Sequence, residues 1–303
     1  MRRRVFVRLL GGVAAAAVVA VATAAAAPAA AATPSPLRLE DDRGRVVVLP
    51  TAPARIVSLA PHATELLFAS GAGRKLVAVD PDSDYPPAAR SLARVAAYPQ
   101  PDIEQLLALA PDLVVIWGPG APQALVARLA QLGLAVFVSE PRTLDEVGAT
   151  LARFAQLSDD PAAGLGAARA FRARLAQIRA RFAARPVVRV FVQIWSTPLI
   201  GIGEHDVIAD AVRSCGAASV LSDGTIAAPR VDPEAVIAAR PAMVLATDGR
   251  RSERFWRERG LLAPRGPARF ATFDAATMER PGPRVLDALG QMCAAIDAAR
   301  GVP

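Results

Sequence analysis

Lysine occurs once in this chain, at Lys75, and histidine and cysteine occur twice each. Each scarcity removes a class of function. Two histidines, His62 and His205, fall short of the three or four ligands of a typical zinc site. Cys215 and Cys293 form neither a CxxC pair nor a cluster with histidine, so dithiol catalysis and thiolate metal sites find no support. Also missing are a GxSxG nucleophile elbow, a GxxxxGK[ST] phosphate loop and an HExxH zinc motif, while "GIGEHD" lacks the third glycine of a dinucleotide fingerprint. Glu65 has no obvious partner carboxylate. Nothing in these residues calls for an enzyme.

The basic excess is smaller than it first looks. The net charge of +7 falls to +3 once Arg2, Arg3, Arg4 and Arg8 are set aside. The remaining arginines are scattered among acids, with no basic block interleaved with aromatics, so nucleic-acid binding is excluded. Those four arginines belong to "MRRRVFVRLL", which runs into a small-residue apolar stretch and an A-x-A-like end. This reads as a secretory signal peptide over residues 1–32, cleaved near Ala30 to Ala32. The alternative is an uncleaved anchor, since the apolar stretch approaches a span in length. No cysteine lies near the cleavage site, which argues against a lipid anchor. In an exported protein, Cys215 and Cys293 read as one disulfide, against the alternative of two separate buried thiols. Such a bridge would close a loop of about eighty residues and contribute about 4 kcal/mol on chain entropy.

About 270 residues remain, a length that suits two domains. Residues 33–158 alternate apolar runs ("RIVSLA", "LVAVD", "DLVVIW", "AVFVSE") with helical patterns, which predicts a parallel sheet covered on both faces. Residues 159–185 then form one long helix, with Leu165, Ala168, Phe171, Leu175, Ile178 and Phe182 at helical spacing. Asp159 or Asp160 can cap it, with Pro161 in its first turn. Residues 186–303 start again with "VVRVFVQI" and repeat the strand and helix order. The expected fold is α/β: two doubly wound lobes joined by a single long α-helix, with a ligand cleft between them.

The halves also share a phrase. "PDIEQLLALAPDLVVIW" from Pro101 and "VDPEAVIAARPAMVLAT" from Val231 align at an offset of 130 residues. Asp102, Glu104, Ala108, Pro111 and Val114 then fall on Asp232, Glu234, Ala238, Pro241 and Val244. Each copy reads as a short helix followed by a buried strand, with a glutamate in the first turn where it favours the helix dipole.

In parallel α/β sheets, ligands bind at the carboxyl ends of the strands. Tyr85, Tyr98, Trp117 and Trp195 all fall on expected strand-end loops, an arrangement that suits a large, flat, partly apolar ligand. Core packing would instead place such rings within the elements. "MERPGPR" supplies Glu279, Arg280 and Arg284 on a turn before the last helix. His62 and His205 read either as solvated cap and loop residues or as contacts in the cleft.

These features resemble the periplasmic substrate-binding proteins of ABC importers, and within them the cobalamin-binding branch. The resemblance runs from "ARIVSLAPHATELLFASGAG" to "GQMCAAI". "SDYPP", the strand-ending Trp117, "RVFVQ", the cysteine pair and "MERPGPR" carry it most specifically. It implies a monomer without a prosthetic group that carries cobalamin (vitamin B12), with haem the alternative ligand and ferric siderophore the third. It implies ligand contacts from Tyr85, Trp117 and Tyr98, the last replacing a tryptophan of that branch. Tyr98 also resembles the tyrosine that some haem-binding relatives use on iron. Arg280 matches a cleft-edge segment. Two departures fall in the second lobe: a cleft aromatic is replaced by Ile194, with Trp195 beside it, and a tryptophan by the region of Ala228. The resemblance further implies that Glu104 and Glu234 dock onto arginines of a permease dimer, which is served by a cytoplasmic ATPase.

Overall fold

The computed structural model describes residues 36–97, 100–221, 226–262 and 268–300. The expected signal peptide and Tyr98 lie outside the described residues. The chain begins with a hairpin that the sequence reading did not anticipate, β1 (Leu37–Glu40) antiparallel to β2 (Val46–Leu49). Its strands alternate: Leu39, Val47 and Leu49 are buried, while Val46 and Val48 face solvent.

The first lobe follows as β3 (Ile56–Leu59), α1 (Pro61–Ala69), β4 (Leu76–Val79), β5 (Ala93–Arg94), α2 (Ile103–Ala108), β6 (Leu113–Trp117), α3 (Gln123–Gln131), β7 (Val136–Ser139) and α4 (Leu144–Ala155). Its five strands are all parallel, in the order β5-β4-β3-β6-β7. The strands β3 and β7 are buried along their whole length, as expected for a sheet covered on both faces. The chain winds outward from β3 in one direction and then in the other. This places the switch point, and hence a crevice, between β3 and β6.

A 22-residue helix, α5 (Pro161–Phe182), then joins the lobes. At 1.5 Å per residue it spans roughly 33 Å. Of the two candidate caps it is Asp160 that accepts a hydrogen bond from the Ala163 backbone N–H (3.1 Å), with Pro161 at the first helical position.

The second lobe comprises β8 (Val188–Ser196), β9 (Leu199–Gly201), α6 (Val207–Ser214), β10 (Ala217–Ser219), α7 (Pro233–Ala238), β11 (Met243–Ala246), α8 (Gly249–Glu258), β12 (Arg269–Thr272), α9 (Ala275–Met278) and α10 (Val285–Arg300). The sheet order is β10-β8-β11-β12, again parallel, with β9 folding back antiparallel onto β8. Cys215 and Cys293 form a disulfide that ties the end of α6 to α10.

The repeated phrase is a repeated structure. Asp102 and Asp232 both cap their helices through side-chain hydrogen bonds to backbone N–H groups. Leu106 and Val236 both point into the core with no exposed surface. Two residues past the end of each helix the chain takes a positive φ, at Ala110 (φ 43°) and Arg240 (φ 48°), again at the same offset. That conformation is unusual without glycine, and its occurrence at both equivalent sites shows that one turn geometry is kept in both lobes.

Among the described residues, the interior is divided in three. One large apolar cluster runs from Leu39 in the hairpin, through α1, α4 and α5, to α6 and α10. Two smaller clusters lie on the opposite faces of the sheets. One includes Leu106 of α2 and Val126 and Leu129 of α3. The other includes Val236 of α7 and Trp256 of α8.

Candidate functional site

The crevice at the switch point opens into a cavity of about 530 Å³. Four parallel strands deliver its first-lobe wall at their carboxyl ends. Ala60, Pro61 and His62 follow β3, Asp80 and Asp82 follow β4, Ala97 follows β5, and Trp117 ends β6. The facing wall is the turn of the second lobe that carries Ala276, Glu279 and Arg280. A second space of about 230 Å³ shares Trp117 and Glu279 and continues past Glu140, Arg142, His205 and Asp206. The two are parts of one interlobe cleft, with the half-exposed indole of Trp117 between them.

Trp117 is held from behind. Arg43, in the hairpin turn, donates to the carbonyls of Gly118 (2.6 Å) and Ala121 (2.8 Å), the loop that follows the indole. Gly118 lies so close to Glu140 that a Cβ there would come within 2.0 Å of its carboxylate. The hairpin is itself fastened to the end of β7, where Asp42 accepts from the Glu140 backbone N–H and pairs with Arg153. Sequence reasoning missed Arg43 and this brace. The alternating pattern from Leu37 to Leu49 signals the hairpin, but nothing local reveals what its turn touches.

His62 stands at the second position of α1, 4% exposed, with Nε2 3.0 Å from the Ser139 hydroxyl. Burial disfavours the imidazolium and lowers its pKa to about 4, against a smaller opposing effect of the Ser139 hydrogen bond. It is a neutral imidazole in the cavity wall rather than a solvated cap. His205 lines the second space. Three carboxyl groups of the cleft, Asp80, Asp206 and Glu279, are pushed above the usual carboxylate range, in each case mainly by burial. For Glu279 the neighbouring charges of Asp206 and Asp274 add to the effect.

The remaining expected contacts are distributed more widely. Arg280 lines the cavity and reaches across the cleft to Asp84 (2.6 Å), clasping the second-lobe turn to the first lobe. Arg284 extends this clasp with two hydrogen bonds to the buried Glu65 of α1 (2.9 and 2.5 Å). Its guanidinium also lies over the Tyr85 ring, 4.0 Å from the centroid. Tyr85 therefore sits in a neighbouring space of about 440 Å³ with Glu65 and Arg284, and one ring face is already covered. Trp195 ends up 60% exposed near the end of β8, donating to the Thr197 carbonyl (2.9 Å), and lies outside these spaces. Glu104 and Glu234 are exposed at the second positions of α2 and α7.

The arrangement offers an apolar indole face, neutral hydrogen-bonding groups and carboxylates around an open cleft. It suits reversible binding of a broad ligand.

Comparison with known proteins places this cleft in context. The family model for periplasmic binding protein matches residues 56–261. The chain is 36% identical over 250 residues to the vitamin B12-binding protein of Vibrio vulnificus (strain CMCP6), covering 82% of this chain and 92% of that one. Its fold is similar to the crystal structure of the periplasmic vitamin B12-binding protein BtuF of Vibrio cholerae, with a TM-score of 0.76, 33% identity, and coverage of 83% and 99% of the two chains. It is also similar to the periplasmic heme-binding protein RhuT from Roseiflexus sp. RS-1, with a TM-score of 0.67, 26% identity, and coverage of 81% and 98%. Since the family match runs from the start of β3 into the second lobe and includes most of the cleft, the chain belongs to the periplasmic binding protein family.

Proposed function

We propose that this protein captures cobalamin, or a related corrinoid, between its lobes and delivers it to the permease of an ABC importer. One observation carries the reading: an interlobe cleft at the strand carboxyl ends, in a chain that aligns with 92% of a vitamin B12-binding protein. In this reading the protein is a periplasmic monomer, exported through residues 1–32, that binds its cargo without chemistry and needs no prosthetic group.

The corrin lies against the Trp117 indole, whose face offers a large apolar contact at little cost in side-chain freedom. His62 presents a neutral ring in the wall for hydrogen bonds to the ligand's side arms, and Arg280, its charge paired with Asp84, offers its remaining N–H groups at the edge. Tyr98 is assigned to the same wall on resemblance alone, Tyr85 to its neighbourhood and Trp195 to the outer rim. Glu104 and Glu234 form the docking pair, one on each lobe, each received by an arginine of one permease subunit. Charge pairs of this kind act strongly on association rate and register.

The test is a parallel titration of the signal-free protein with cyanocobalamin and with haemin, followed by tryptophan emission and calorimetric heat. One-to-one binding of the corrinoid, with haemin weak or non-stoichiometric, is expected. The reverse result would assign the cleft to haem, consistent with the similarity to RhuT, and make Tyr98 the first candidate iron ligand.

A further inference from the structure

Among the described residues, the carboxylates lining the cleft outnumber its cations, and each lining cation is already paired with a carboxylate. Asp80 and Asp82 line the cavity from the first lobe and Glu279 from the second, with Asp206 in the adjoining space. Against them, among the described residues, stand the lining arginines Arg280 and Arg142, with Arg94 behind Asp80, where its guanidinium donates to the Asp80 backbone carbonyl (3.0 Å). Arg280 is paired with Asp84, and Arg142 with Glu140. Among the described residues, the side chains of Asp82 and Glu279 make no hydrogen bond or ion pair. Asp80 receives only the Asp82 backbone N–H (2.8 Å), and Asp206 only that of Ile208 (2.7 Å). His62 adds no positive charge near neutrality.

We propose that this cleft selects its cargo by the charge of the side arms. It admits a tetrapyrrole-like macrocycle whose arms end in uncharged amides and rejects the same macrocycle when they end in carboxylates. The physical reason lies in the donor inventory. A primary amide brings two N–H donors, which Asp82, Glu279 and the open positions of Asp80 can accept. A carboxylate arm brings only acceptors, so it finds no donor on these groups and adds a like charge beside them. Closing a ligand over the cleft removes water and strengthens both effects. The raised pKa values of Asp80, Asp206 and Glu279 fit this picture, since these carboxylates already lack solvation that amide donors would replace. The inference rests on the corrinoid reading for its preferred cargo and extends it. A corrin carries amide arms, whereas haem carries two propionates.

The experiment compares matched ligands on the signal-free protein. The first pair is cyanocobalamin and its derivatives with one propionamide hydrolysed to the acid. The second is haemin with both propionates converted to amides, and haemin itself. The wild-type protein is expected to prefer the amide member of a pair by about tenfold or more, the order of one like-charge contact at a partly solvated site. That ratio should shrink to about threefold or less in the Glu279→Gln, Asp82→Asn double variant, and should narrow in high salt. Equal affinities within the pairs, or a ratio untouched by the double variant, would overturn the charge rule while leaving the corrinoid reading intact. If the haemin pair binds and neither corrinoid does, the corrinoid reading fails, and the haemin pair decides the charge rule by itself. If no macrocycle binds, both fall.

Discussion

The buried imidazole of His62 makes the stability of this protein depend on pH in a way that one substitution isolates. An imidazole in the unfolded chain titrates near 6.5, and in the folded protein His62 does so at about 4. Between these values the unfolded chain holds a proton that the folded protein lacks, so stability falls as the pH drops from 6.5 toward 4. The full gap corresponds to roughly 3.4 kcal/mol, of which about 2 kcal/mol is lost by pH 5. The raised carboxyl groups Asp42, Asp80, Asp206 and Glu279 act in the opposite sense, because their folded forms take up protons first. They are common to wild type and variant and largely cancel in the comparison. The assay is urea denaturation at pH 7.5 and pH 5.0, with the disulfide intact, for wild type and His62→Gln. Glutamine keeps a polar group able to meet the Ser139 hydroxyl but cannot titrate. The wild type should lose about 2 kcal/mol more than the variant between the two pH values. Equal losses would refute the assignment of a desolvated, neutral imidazole to this wall.

Three other variants probe other parts of the structure. Arg43→Ala removes the donors that hold the Gly118 and Ala121 carbonyls, and should weaken ligand binding severalfold and broaden the Trp117 emission response although Arg43 lies behind the cleft wall. Arg284→Met leaves the carboxylate of Glu65 buried without its partner, and should cost about 3 kcal/mol in chemical denaturation. The Glu104→Ala, Glu234→Ala pair should leave ligand affinity unchanged and abolish uptake or complex formation with the permease. Normal uptake by that double variant would remove these residues from the docking role.

How much could be read from the sequence depended on the range of the interaction. The helix α5 was legible because its signals are local: apolar spacing, an aspartate cap and a proline in the first turn. The two sheets were legible because parallel strands buried on both faces are nearly continuous apolar runs. The hairpin was overlooked, although its alternation is plain once Leu39, Val47 and Leu49 are seen to point inward. The cleft was legible as a place, since strand ends define it, but less so as a list of side chains. Tyr85 lies beside Arg284, far along the chain, and no local pattern announces that contact. Strand β8 continues through Ser196 and turns back into β9, which carries Trp195 away from the described spaces. The carboxylates Asp80 and Asp82 were visible in "LVAVDPDSDYPP", yet their setting depends on a facing turn about two hundred residues later.

The large apolar cluster that passes from the hairpin through α5 into α10 has a consequence for cutting and recombining this chain. A fragment ending after α4 would keep α1 and α4 over its sheet but leave bare the face of α4 that α5 covers, and a fragment starting at β8 would lose α5 from α6 and α10. Neither half is a free-standing module, and each separately expressed would be driven to aggregate or to find the other. The layers that carry α2 and α7 are different, because each closes on a cluster confined to its own lobe. Those two layers are the natural grafting units: exchanging them between relatives would change the outer surface of each lobe while leaving the seam between the lobes undisturbed.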